Sequence, residues 1–231
     1  EGVTVVTTTS GGNIDMQYEE AVRIMKLCGR YEKIPLLKGA DGNFPEIQLN
    51  LDAADFDGAT AVDFIIEQAN KENESMLVLI AVGKLTNVAL ALKKAPAIAQ
   101  KMRVVWLGSN YPEPGEHNQD SDTASMNYVL NTTVPFEMVT VRYGKPSGTD
   151  AVKLTKKEAF ERMPDLGPVI DTPIEGRHGG EFNNFGDYSV NLFEHIDYHG
   201  DPPSRPLFDM VAVAIVKNEH WADRKEIPCP I

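Results

Sequence analysis

The stretch Leu77-Val78-Leu79-Ile80-Ala81-Val82-Gly83-Lys84-Leu85-Thr86-Asn87-Val88-Ala89-Leu90 decides how this chain folds. The unbroken apolar run from Leu77 to Val82 reads as a strand buried on both faces. Gly83 interrupts it, and Leu85, Val88, Ala89 and Leu92 then recur at helical spacing. A strand that feeds a helix through a tight turn is the unit of an open α/β sheet, and such sheets place their sites at those turns.

The same alternation extends to both sides. Strands are predicted at residues 2–9, 34–37, 76–82, 103–107 and 136–141, with turns such as Ser10-Gly11-Gly12-Asn13 after them. Helices are predicted at 18–29, 57–69, 85–92, 123–130 and 155–163. Thr155 and Glu158 form a capping box, and Asp122 reads as the cap of the 123–130 helix. Residues 41–57 read as loop. From 165 to 206 glycine, asparagine, histidine and aromatic residues dominate, with a short helix at 188–195, and an apolar helix follows at 208–216. The fold class expected is α/β, a mostly parallel open sheet with helices on both faces, in a single domain over 1–231.

Composition narrows the function classes. A chain of 231 residues is long enough for a sizeable core, and a net charge of −12 argues against a nucleic-acid surface. Two distant cysteines, Cys28 and Cys229, give neither a zinc spacing nor a disulfide framework. No apolar run approaches the roughly 18 residues of a membrane span. The chain opens directly on a strand-like run without a visible leader, so a soluble protein is expected, cytoplasmic or exported after loss of an upstream signal peptide. No Gly-x-Gly-x-x-Gly follows the first strand, which disfavours a dinucleotide enzyme. Asn73-Glu74-Ser75 and Asn131-Thr132-Thr133 match glycosylation sequons by pattern alone.

The turns themselves carry an ordered set of motifs. Gly11-Gly12-Asn13 follows the first strand and Val82-Gly83-Lys84-Leu85-Thr86-Asn87 the central one. Gly108-Ser109-Asn110 leads to Glu116-His117-Asn118 and then Asp122-Thr123-Ala124. Pro206-Leu207-Phe208-Asp209 opens the run that continues to Ala212-Val213-Ala214. In this order, over nearly the whole chain, the set resembles the inosine-uridine preferring nucleoside hydrolase family.

That resemblance implies a hydrolase cleaving the N-glycosidic bond of ribonucleosides to free base and ribose, with a nucleoside as its small-molecule partner and a homodimer or homotetramer as its assembly. It implies a Ca²⁺ ion that holds the ribose hydroxyls and the attacking water. A hard cation takes oxygen ligands, and bound water loses its proton more readily. Asp209 resembles the late aspartate ligand of that ion, and Val82 the position whose main-chain carbonyl coordinates it. Glu116 and Asn118 resemble the pair that hydrogen-bonds the ribose. Asn13 matches the asparagine of the family's Gly-Asn turn and Asn110 a further ribose-binding asparagine, which the resemblance implies as substrate-binding residues.

Two departures stand out. The family's amino-terminal aspartate cluster has no counterpart here. Asp209 and the Val82 carbonyl alone fall short of the six to eight oxygens that Ca²⁺ takes. The sequence is therefore expected to be part of a longer protein, incomplete at both ends. Phe208 stands where many members carry a histidine acid, and phenylalanine cannot donate a proton. Stacking of the base on Phe208, or His178 as a substitute acid, would have to serve instead. The alternative reading is a non-catalytic nucleoside- or sugar-binding protein on the same fold.

Overall fold

The computed structural model describes residues 5–7, 12–71 and 76–229; the expected strand residues 2–4 and 8–9, the turn residues 10–11 and the Asn73 sequon lie outside them. In chain order the first half contains β1 (Val5–Thr7), α1 (Ile14–Leu27), β2 (Leu36–Lys38), α2 (Phe44–Ile47), α3 (Ala59–Asn70), β3 (Leu77–Ala81), α4 (Thr86–Lys94) and β4 (Met102–Leu107). The second contains α5 (His117–Ser121), α6 (Thr123–Leu130), β5 (Phe136–Val139), β6 (Lys153–Thr155), α7 (Lys156–Arg162), β7 (Val169–Glu175), β8 (Glu181–Asn184), α8 (Phe185–Glu194), β9 (Ser204–Pro206) and α9 (Phe208–Lys217).

The expected α/β alternation is present. Strands β3, β4 and β5 form a parallel sheet, with Ala81 opposite Trp106 and Trp106 opposite Met138. Successive side chains of a strand point to opposite faces. Met102, Val104 and Trp106 of β4 accordingly pack with Val62 and Ile65 of α3, Leu90 of α4 and Val129 of α6. Val105 and Leu107 turn the other way and meet Ala212 and Val211 of α9. Helices thus cover both faces of the sheet. A second parallel pair, β1 with β2, stands beside it.

Among the described residues β3 pairs only with β4, and β1 only with β2. Every residue of β3 is half-buried, although its sequence is apolar on both faces. The space along that open edge is continuous with the cavity described below, which Thr7 and Leu77–Ala81 line.

Local chemistry sets the helix boundaries. Helix α1 begins at Ile14, ahead of the expected residue 18, because Asn13 caps it: its Oδ1 accepts from the N–H groups of Asp15 (2.7 Å) and Met16 (3.3 Å). Such a cap contributes about 1 kcal/mol. The Thr155–Glu158 capping box forms as read. The expected loop at 41–57 contains the short helix α2, begun with Pro45 in its first turn. The polar segment 165–206 is ordered further than expected. Strands β7 and β8 form an antiparallel hairpin, and β6 pairs antiparallel with β9. Tyr188 of α8 is fully buried and donates to Glu20 of α1 at 2.6 Å. Among the described residues no helix is long and apolar enough to cross a membrane.

Candidate active site

The carboxyl ends of β3 and β4 converge with the start of α9 on a cavity of about 1270 Å³. That exceeds the 300–1,000 Å³ of an ordinary small-molecule pocket because the space continues along the open edge of β3. Val82, Glu116, Asn118, Phe208 and Asp209 all line it.

The turn after β3 is fixed by ties to distant parts of the chain. The Gly83 carbonyl accepts from the indole N–H of the fully buried Trp106 at 2.9 Å. Lys84 is also buried, and its Nζ donates to the carbonyls of Asp41 (2.9 Å) and Gly42 (2.7 Å) and to Asn43 Oδ1 (2.9 Å). Burial lowers the Lys84 pKa, against the pull of Asp122 and other nearby carboxylates. Thr86 donates to Asp122 Oδ2 at 2.5 Å. The Asn87 amide donates to the Thr7 carbonyl at 3.3 Å and accepts from Ala40 N–H at 2.9 Å. It thereby links the β1–β2 pair to the β3 turn. Neither Thr86 nor Asn87 caps α4 by side chain; Leu85 holds that position.

Glu116 caps α5. Its Oε2 accepts from Ser109 N–H (2.8 Å) and Gln119 N–H (3.0 Å), and its Oε1 from Asn118 N–H (3.0 Å). A carboxylate offers about four acceptor sites, so at most one remains for a ligand. Asn118 is committed as well. Its Nδ2 donates to the carbonyls of Leu107 (3.0 Å) and Val82 (3.3 Å), which leaves its own carbonyl oxygen free.

Asp209 is different. It accepts no hydrogen bond among the described residues, and it opens onto the cavity. Although the residue is exposed, its pKa is pushed up to about 6, first by desolvation from the protein around the carboxyl and then by the Glu116 charge. Asp209 is exposed at the cavity, so its carboxyl is open to proton exchange with solvent.

The remaining expected residues are placed elsewhere. Asn13 serves as the α1 cap, and its neighbour Gly12 lines the cavity. Asn110 holds the loop behind it, accepting from Tyr143 N–H at 2.9 Å and donating to the Pro114 carbonyl at 3.2 Å. His178 does not line the cavity; its ring stacks on His195 with centroids 4.2 Å apart. Sequence reading missed Tyr143 and Arg205, which do line it. Arg205 had a visible signal, since it immediately precedes the Pro206-Leu207-Phe208-Asp209 motif. Tyr143 had none, because it reaches the cavity from a loop after β5.

A calcium shell can be tested against these donors. Among the described residues no group of three or more histidine, cysteine, aspartate or glutamate side chains is placed to hold a metal. Asp209 and the Val82 carbonyl supply two oxygens, and Glu116 is held by three N–H groups. The described residues alone do not fit a Ca²⁺ site that needs six to eight oxygens.

Comparison with known proteins supplies the last observation. An uncharacterised protein of Schizosaccharomyces pombe is 26% identical over 206 residues, which cover 78% of this chain and 65% of the yeast protein. The chain thus spans about two thirds of the length of that relative. A purine-preferring ribonucleoside hydrolase from Gardnerella vaginalis superposes with a TM-score of 0.68 at 21% identity, over 95% of this chain and 72% of that one. An inosine-guanosine nucleoside hydrolase gives 0.65 at 17% identity, over the same 95% and 72%. At those identities the likeness shows the fold. The sequence profile of the inosine-uridine preferring nucleoside hydrolases matches residues 2–231, and the chain belongs to that family.

Proposed function

We propose that this protein hydrolyses the N-glycosidic bond of ribonucleosides, giving free base and ribose. The observation that carries the reading is Asp209. Among the described residues no group donates a hydrogen bond to its carboxylate, which lines the cavity with Glu116 where the β3 and β4 turns meet. Glycoside cleavage passes through an oxocarbenium-like state, which negative charge and carbonyl dipoles stabilise. In this reading Asp209 faces the sugar and takes the proton of the attacking water. The Val82 carbonyl and the free oxygen of Asn118 approach the ribose hydroxyls, and Phe208 offers an apolar face to the base.

The calcium expectation rests on the family resemblance. Asp209 and Val82 would supply two of its ligands. Because the described donors do not complete the shell, no step is assigned to the ion. The second reading is a non-catalytic protein that binds nucleosides or sugars on the same fold.

The two readings separate in one experiment. The purified protein is incubated with each common ribonucleoside, with added Ca²⁺ and with EDTA, and free base is resolved chromatographically. Inosine and guanosine come first, because the structural relatives are named for purine nucleosides. Release of base supports the hydrolase, and its loss in EDTA supports calcium. Saturable nucleoside binding without release of base from any substrate would establish the binding protein instead.

A further inference from the structure

The hydrolase reading leaves one chemical need unmet. When the C1′–N bond breaks, both electrons leave on the base, and Phe208 cannot neutralise that charge. Arg205 lies where such a group is required. Its backbone is fixed by the pairing of β9 with β6, opposite Leu154. Its guanidinium lies over the Phe208 ring, 5.3 Å from the centroid, and both side chains line the cavity that holds Asp209.

Two other cations of this cavity, Lys153 and Lys84, are committed. The Lys153 ammonium is 3.1 Å from the Asp150 carboxylate. Lys84 holds the 41–43 loop. Arg177, on the β7–β8 turn, also lines the cavity, but among the described residues only Arg205 lies over the Phe208 ring. Among the described residues Arg205 makes no ion pair; its Nη1 donates to the Asp197 carbonyl at 3.4 Å. Its charge and most of its donors are therefore available.

We propose that Arg205 receives the departing base, its guanidinium binding the acceptor edge of the base and stabilising the negative charge carried away. This rests on the hydrolase reading above. The C1′–N electron pair goes to the base, the water oxygen bonds to C1′, and the water's proton goes to Asp209. The base anion takes a proton from solvent on release. Arginine remains protonated throughout, so it acts by charge and hydrogen bonding. A guanidinium presents its N–H groups in one plane, all donors. It matches an edge with two acceptors, such as O6 and N7 of a 6-oxopurine, and disfavours an edge with an amino group. Selectivity for inosine over adenosine follows.

The test compares two leaving groups. Inosine needs help to release its base, whereas 4-nitrophenyl riboside releases a phenolate that is stable unaided. In Arg205→Ala the ratio of kcat on inosine to kcat on the nitrophenyl riboside should fall by about 100-fold, the scale for losing one preorganised donor. Arg205→Lys keeps the charge and loses the fork, so the preference for inosine over adenosine should shrink. Activity on the nitrophenyl riboside also reports that each variant is folded. An unchanged ratio in Arg205→Ala overturns the proposal, and so does a wild-type protein that cleaves the nitrophenyl riboside and no nucleoside. A wild-type protein that cleaves neither substrate refutes the hydrolase reading itself.

Discussion

The side-chain amide of Asn118 bridges the last carbonyl of β4, at Leu107, and the Val82 carbonyl just past β3, at 3.0 and 3.3 Å. One side chain on α5 therefore sets the spacing of two strand ends at the floor of the cavity. Asn118→Leu keeps the volume and leaves both carbonyls without that donor. Urea unfolding should show a loss of about 1–3 kcal/mol, the cost of unsatisfied buried polar groups. Asn118→Asp should cost more, because it turns a negative charge towards two carbonyl oxygens. Equal stability of Asn118→Asp and wild type would remove Asn118 from this role.

Asp209 should show opposite effects on stability and activity. Its folded pKa is raised to about 6 from 3.8, so the folded protein favours the protonated acid. The contribution of Asp209 to stability is most favourable at acid pH and is lost as pH rises through that interval, because its ionisation is easier in the unfolded chain. Asp209→Asn removes the penalty. The variant should melt higher than wild type above pH 6, with the gap closing as pH falls towards 4, while turnover falls at least about 100-fold. Melting curves across that range decide it; a gap that is constant with pH contradicts the assignment.

Asp122 joins three segments. Its carboxylate accepts from Thr86 Oγ1 (2.5 Å), Phe44 N–H (2.8 Å) and Ser125 N–H (3.1 Å), and its side chain is buried. Asp122→Ala strands all three donors and should cost about 2–4 kcal/mol. Thr86→Val removes one donor and should cost clearly less. Chemical denaturation of both variants tests the ranking.

Gly108 is required by a close approach. A Cβ there would lie 2.0 Å from the Trp106 ring. Gly108→Ala should therefore displace the indole and lower stability by about 1–3 kcal/mol or more. The chain has two tryptophans, and Trp221 is already exposed. A red shift of emission in the variant would thus report Trp106 losing its buried setting, and an unshifted spectrum would count against the steric account.

The local grammar of the fold was legible. The run at residues 77–82 with its following 3.6-residue pattern yields β3 and α4, and the Thr155 box and the Asp122 cap are readable from adjacent residues. The hairpin of β7 and β8 was not, because its strands are polar, exposed and lack a clean alternation. The site was legible as a set of motifs but not as a set of bonds. The turn at 82–87 reads as a metal-facing carbonyl ahead of a supporting helix. In the structure Lys84, Thr86 and Asn87 each reach partners 36 to 80 positions away. Spacing along a chain carries no record of such ties. His178 illustrates the converse: its type suited an acid, and the hairpin turns it towards His195.

The edge of β3 that no described residue pairs has a consequence for amide exchange. Leu77 N–H donates towards β4, to the Lys101 carbonyl, so alternation directs the N–H groups of Val78 and Ile80 to the unpaired side. A strand with the side chains of an interior should then exchange its amides in two populations. Leu79 and Ala81 should be slow, as in a core, while Val78 and Ile80 should be nearly as fast as a surface loop. Any extended segment that settles along that edge would announce itself by slowing those two amides alone.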